Sequence, residues 1–387
     1  MEQLLNEELS AYLKASKEET LRLIEAIAVI PAPSGQEERR AEFCRRWLEE
    51  QGAEEVYVDG ALNVVCPIGV EDAKDLILFS AHTDVVFPDT DPLPFFRDGA
   101  DLCAPGVGDD TACLAVLLMI AKYVIQNKLR SPYGILFVAN SCEEGLGNLK
   151  GIREIMKRYG DRIRRAYTFD GQYTAVVNRC VGSHRYRVTL ETEGGHSYGD
   201  FGNRNAIFAA AELLTRLSRC EIPQNGQGRT TFNVGTIEGG TSVNTIAQSA
   251  SFLYEFRSDD RGDLDRMESF FREQIETAER DALARITVEC VGIRPCGGEV
   301  DESVLEKMTR EAVEISRRHS GLECCQASGS TDCNIPMSMG IPAICVGSYL
   351  GEGQHTREER VHADSIAVGL KIAAEIILGY FIGKDKE

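Results

Sequence analysis

Short apolar runs that stop at acids or histidines dominate the hydrophobic pattern of this chain. Residues 76–79 are Leu-Ile-Leu-Phe and run into Ser80-Ala81-His82-Thr83-Asp84-Val85-Val86. Residues 134–140 run into Ser141-Cys142-Glu143-Glu144-Gly145, and 165–169 into Asp170-Gly171. Strands covered on both faces read as continuous runs rather than alternations, so these three, with 342–346, are expected as buried strands of an α/β sheet. Helical patterning covers 1–28, 111–127, 302–319 and 363–381. Ser34-Gly35-Gln36-Glu37 reads as a capping box opening a helix through 41–47, and 55–58 and 63–67 read as short strands joined through Asp59-Gly60. A proline-rich loop is expected at 87–97.

From about residue 184 the texture changes to strand 185–192, helix 203–219, strands 230–237 and 250–258, helix 264–280 and strand 286–291. That βαββαβ order is a compact α+β unit of ferredoxin-like type. The expected fold is therefore α/β, an open mixed sheet flanked by helices and interrupted by an inserted domain. The expected boundaries are 1–182, 183–294 and 295–387, the outer two forming one domain.

Composition narrows the function. With 387 residues, 43% hydrophobic and 27% charged, the chain is an ordinary globular protein with room for a sizeable core. A formal charge of −19 argues against a nucleic-acid partner, which needs a positive patch. The first residues lack the pattern of a signal peptide, and no stretch reaches the roughly 18 apolar residues of a membrane span, so no membrane partner and a cytoplasmic location are expected. Thirteen cysteines scattered along apolar segments, none in a CxxC pair, are expected as buried free thiols, Cys324-Cys325 included.

The candidate chemistry lies where the strands end. Ligands of open α/β sheets bind beyond the carboxyl ends of the strands, and there this chain places His82, Glu143, Glu144 and Asp170. Adjacent carboxylates such as Glu143 and Glu144, placed straight after a buried strand, repel each other and lose hydration, which calls for a cation. Asp109 and Asp110 open a helix and complement its dipole, while the flanking Gly106 and Gly108 suggest a tight backbone approach. His355 follows the last buried strand. Two histidines with several carboxylates suit zinc, manganese or cobalt, and the acids are numerous enough for two ions sharing a carboxylate and a water.

These residues carry a resemblance. His82-Thr83-Asp84, Gly108-Asp109-Asp110, Glu143-Glu144, Asp170 and His355 follow, in order, the motifs of the M20 family of metallopeptidases and amidohydrolases, which includes peptidase T, carboxypeptidase G2 and deacylases of acetylornithine and succinyl-diaminopimelate. The resemblance covers nearly the whole chain and implies a fold like the di-zinc exopeptidases. It implies one metal on His82 and Asp170, a second on Glu144 and His355, and Asp109 bridging both. Asp84 would accept the free ring N–H of His82 through its carboxylate, and Glu143 would be the general base. The inserted domain resembles the family's lid and dimerisation domain. There Gly194-Gly195-His196-Ser197 implies that His196 supports an oxyanion in the partner's site, and Gly239-Gly240-Thr241-Ser242-Val243-Asn244 that Asn244 contacts substrate. Arg257 would pair with a substrate carboxylate, and Gly329-Ser330-Thr331-Asp332 resembles a substrate loop.

The implied activity is hydrolysis of a C–N amide bond in a small peptide by a peptidase T-like exopeptidase, an aminopeptidase, acting as a homodimer with two divalent ions, zinc first. A deacylase of N-acyl amino acids shares the machinery. A non-catalytic binding protein would have lost the base or a ligand, and this chain has lost neither. Thr111-Ala112-Cys113 departs from the Lys-Gly pair of many relatives, which weakens transfer of any particular substrate. His184, His319 and His362 are expected as structural residues.

Overall fold

The computed structural model describes residues 7–223 and 228–381, so the first six residues of the expected 1–28 helix lie outside it. The chain divides into two compact units, 1–180 with 298–387 and 181–297.

The first unit is built on an eight-stranded mixed sheet, in the order Tyr57–Val58, Val64–Ile68, Gly134–Asn140, Leu76–His82, Ile163–Phe169, Ala343–Val346, Ala175–Cys180 and Cys325–Gly329. Its four central strands are parallel, which brings the C-terminal ends of Leu76–His82, Gly134–Asn140 and Ile163–Phe169 to one edge. Every residue of Leu76–His82 and of Gly134–Asn140 is buried, which is why both read as unbroken apolar runs. Helices Glu7–Ala28, Cys113–Gln126, Glu302–Ser320 and Ile366–Leu378 share one core cluster with that sheet. A second, small antiparallel sheet joins Gly351–Glu352, Arg360–His362, Asp101–Cys103 and Phe96–Asp98 in that order. It ties the segment after His355 to the one before Asp109, and Phe96–Asp98 takes up only the end of the loop expected at 87–97.

Two local expectations change. The helix Glu38–Glu50 starts without a side-chain cap, so the capping box does not form. Its residues turn inward instead: Ser34 Oγ donates to Asp84 Oδ2 at 2.6 Å, and Glu37 Oε1 accepts from the Cys142 N–H at 3.0 Å. Strands Ala175–Cys180 and Cys325–Gly329 were not expected. Much of the latter is exposed, so it carries no apolar run to read.

The second unit is a four-stranded antiparallel sheet in the order Thr230–Gly239, Ser249–Ser258, Gly182–Glu191 and Arg285–Arg294. Strand periodicity puts Tyr186, Val188, Leu190, Phe252, Tyr254 and Phe256 on one face, where they share a core with Leu213, Met267 and Phe271 of helices Ala206–Leu217 and Arg261–Arg280. Asn205 and Asp260 cap those helices by accepting from backbone N–H groups of the first turn.

Candidate metal centre

His82, the last residue of its strand, is buried, and its ring is held from both sides. Nδ1 lies 3.0 Å from the backbone carbonyl of Asp84, and Nε2 lies 3.0 Å from Asp109 Oδ1. The Asp84 carboxylate, expected to take this ring N–H, stands with Oδ1 3.4 Å from Nδ1, and the carbonyl of the same residue is nearer. The carboxylate has other work. Its oxygens accept from the N–H of Glu143 at 2.9 Å, the N–H of Glu144 at 2.8 Å and the Ser34 hydroxyl. Asp84 thus sets the turn that carries both glutamates.

Asp109 sits in the wide turn Val107–Ala112 before helix Cys113–Gln126, and Asp109 and Asp110 depart there from helical dihedrals. Its Oδ2 is 3.0 Å from His355 Nε2, which is also 3.3 Å from Glu144 Oε1. The tight approach read from the glycines has named partners. A Cβ on Gly106 would fall 2.3 Å from Val85 Cγ1, and one on Gly108 2.6 Å from Tyr349 Oη. Asp110 is fully buried, and its Oδ2 accepts the backbone N–H of His82.

The structure brings these side chains into groups. His82, Asp109 and Asp170 each present one ligand atom, all within 4.8 Å of one another. Asp109, Glu144 and His355 do the same, and so do His82, Glu143 and Glu144. The electrostatics fit cations. Burial, then the charge of Asp109, lifts Asp170 to about 7. Burial, with the charges of Asp170 and Asp109, lifts Asp110 well above the carboxylate range. Hydrogen bonds to Asp109 and Glu144 carry His355 to about 10. Burial alone would lower His82, but Asp109, Asp110 and Asp84 raise it well above the imidazole range. Asp110 Oδ1 is buried with no hydrogen-bond partner, and Glu144 Oε1 faces only the His355 ring. An excess of desolvated carboxylates, one of them with an unsatisfied oxygen, and two imidazoles is a donor set that suits two divalent ions.

The remaining candidates are not among these three groups. Gly329 ends the strand Cys325–Gly329 and Ser330 follows it, both half-buried. His196, Asn244 and Arg257 belong to the second unit. His196 is exposed, and its Nδ1 accepts from the N–H groups of Tyr198 and Gly199 at 3.2 Å, which leaves Nε2 as the donor of the neutral ring. Asn244 is exposed and accepts from the Ser242 hydroxyl. The Arg257 guanidinium makes two bonds to Glu255 of its own strand, at 3.0 and 3.1 Å, so its fork is already engaged. His184, His319 and His362 each lie 2.9 Å from a carboxylate, of Glu268, Glu375 and Asp101 respectively.

Sequence reasoning read Glu37 only as part of a capping box and passed over Glu359; both are buried carboxylates that hold backbone N–H groups beside the candidate ligands. In Arg357-Glu358-Glu359-Arg360, Glu359 reads as one member of a solvated charge run, and no local pattern marks it. Among the described residues no cysteine is in a disulfide, and no helix is long and apolar enough to cross a membrane.

The model of peptidase family M20/M25/M40 matches residues 78–379. The chain is 22% identical over 367 residues to a putative succinyl-diaminopimelate desuccinylase of Mycobacterium tuberculosis, covering 93% of this chain and 98% of that protein. Among solved structures it is similar to a tripeptidase from Staphylococcus aureus, with 22% identity, a TM-score of 0.74, and 93% and 97% of the two chains covered. It is also similar to the Bacillus subtilis YXEP protein, described as a dinuclear metal binding peptidase from the M20 family, with 17% identity, a TM-score of 0.65, and 95% and 99% covered.

Proposed function

The chain belongs to peptidase family M20/M25/M40 and is a metallohydrolase, and on that premise we propose that it cleaves a C–N amide bond in small peptides as an exopeptidase of the aminopeptidase kind. The observation that carries the reading is the pair of ligand groups sharing Asp109, with Glu143 grouped beside His82 and Glu144. His82, Asp109 and Asp170 would hold one divalent ion, and Asp109, Glu144 and His355 the other, with zinc first and manganese or cobalt as alternatives. Such ions, when bound, polarise a carbonyl and acidify water.

The residues do the rest. Glu143, buried and fixed at its backbone by Asp84, takes a proton from the attacking water and returns it to the departing amine. His196, its Nε2 left as a donor, would serve the oxyanion in the site of a second copy, as the family resemblance implies. Asn244, Gly329 and Ser330 are read as substrate contacts. Arg257 would join them only by exchanging its bonds to Glu255. The assembly is read as a homodimer formed through the second unit, whose surface exposes large aromatics.

The desuccinylase relative supports a second reading, a deacylase of N-acyl amino acids on the same residues. Purified protein assayed against panels of tripeptides and of N-acyl amino acids separates the two. Turnover of tripeptides is expected, and turnover of N-acyl amino acids alone would replace the peptidase reading with the deacylase.

A further inference from the structure

Glu359 is buried to 1% exposure, and its carboxylate is turned to three backbone donors. Oε2 accepts from the N–H of Gly106 at 2.8 Å, and Oε1 accepts from the N–H groups of Gly108 at 3.0 Å and Asp109 at 2.8 Å. All three donors belong to the turn that presents Asp109. Glu359 itself follows His355 by four residues, just before the strand Arg360–His362. Its backbone carbonyl accepts from the Ala104 N–H at 3.2 Å, and Arg360 pairs with Cys103 in the small sheet. Backbone and side chain of this one residue therefore fasten the loop of His355 to the loop of Asp109.

The two halves of the centre differ in how much they need such a fastening. His82 and Asp170 lie at the ends of adjacent parallel strands, where the register Ser80↔Thr168 and the sheet's own hydrogen bonds fix their spacing. His355 has no such support. It has a φ of +62°, its side chain is 57% exposed, and it lies between the strands Gly351–Glu352 and Arg360–His362. Its Nε2 nevertheless stands 3.0 Å from Asp109 Oδ2.

We propose that Glu359 is a positioning residue for the half of the centre made by Asp109, Glu144 and His355. By gripping the N–H groups of Gly106, Gly108 and Asp109, it sets the separation of two side chains that sit on different loops and must converge on one ion. The proposal rests on the two-ion reading of the site, and it says which of the two ions depends on the fastening.

The test is a titration of the full-length, metal-stripped chain with cobalt(II), followed by calorimetry and visible absorption, for the wild type, Glu359→Gln and Glu359→Asp. The wild type is expected to bind two ions per chain. Glu359→Gln keeps the size but turns an NH2 group towards a backbone donor. It should bind the ion of Asp109, Glu144 and His355 about 10–100-fold more weakly, as the loss of a supporting partner commonly does, and the ion of His82, Asp109 and Asp170, which shares only Asp109, much less so. Its kcat on a tripeptide should fall with that occupancy and recover as cobalt is raised, with KM little changed at saturating metal. Glu359→Asp keeps the charge one methylene shorter and should recover part of the lost affinity. Equal weakening at both sites, or wild-type binding at both, overturns the inference. If Glu359→Gln does not fold, Glu359→Asp is judged by the same criteria against the wild type. A wild type that binds fewer than two ions overturns the two-ion reading itself, and the inference with it.

Discussion

Asp84 makes four of the bonds that shape the centre: three through its carboxylate, to Glu143, Glu144 and Ser34, and one through its carbonyl, to the His82 ring. An asparagine there offers one acceptor oxygen and turns an NH2 towards N–H donors, so the turn of both glutamates should loosen. Asp84→Asn is expected to weaken metal binding by about 10–100-fold and to slow turnover. Glu143→Ala, which removes the proposed base, should keep its metal and lose about 10²–10⁴-fold in kcat. Metal content and kcat measured on both variants check the pair, and wild-type kcat in Glu143→Ala would remove Glu143 from the mechanism. At this scale the sequence is legible where a residue type is costly in its place. A histidine or an acid at the end of a buried strand needs a reason, and His82, Glu144 and Asp170 could be singled out on that ground. Glu359 and Glu37 could not, because their burial comes from chain segments far away in sequence. Nor could the atom of Asp84 that meets the His82 ring, because carbonyl and carboxylate lie on the same residue.

Between elements, the decisive contrast is between covered and open edges. The buried strands were readable because both faces are apolar, whereas Cys325–Gly329 was not, because its edge position leaves polar residues exposed. The capping signal at Ser34 and Glu37 misled for a related reason: the same side chains that could cap a helix are spent on Asp84 and Cys142. In the second unit, Thr230–Gly239 is an edge strand with a single neighbour, and residues 233–239 are exposed along it. That unit also exposes Tyr198 and Phe201 to 90% and Phe208 to 75%. An open edge and exposed aromatics together are what another chain would cover. Sedimentation of the full chain at micromolar concentration should therefore give a dimer. Phe201→Asp combined with Ile237→Lys, which sets charge on those exposed positions, should shift it to monomer with the thermal midpoint of each folded subunit little changed. A wild type that sediments as a monomer would overturn the proposal of a homodimer.

For the molecule as a whole, the −19 formal charge and the acid-rich centre make metal and proton competitors, and the direction of that competition follows from the shifted groups. In the metal-free fold His355 titrates near 10 rather than at its ordinary 6.5. Its protonated form therefore stabilises the fold fully below about pH 6.5, and that contribution is lost as pH rises towards 10. Asp170, raised from 3.8 to about 7, acts in the same direction: the folded chain holds this proton more tightly than the unfolded one, so stability falls as pH climbs through that window. Between about pH 5.5 and 8.5 these two groups should make the chelated protein progressively less stable. The loaded protein should gain stability over the same range, because its ligands are then free of protons. Saturation at about a hundred times the dissociation constant is worth roughly 2.7 kcal/mol per site. The gap in thermal midpoint between zinc-loaded and chelator-treated protein should therefore widen with pH. A gap that stays constant or narrows would mean that the carboxylates and imidazoles around Asp109 do not hold the ions.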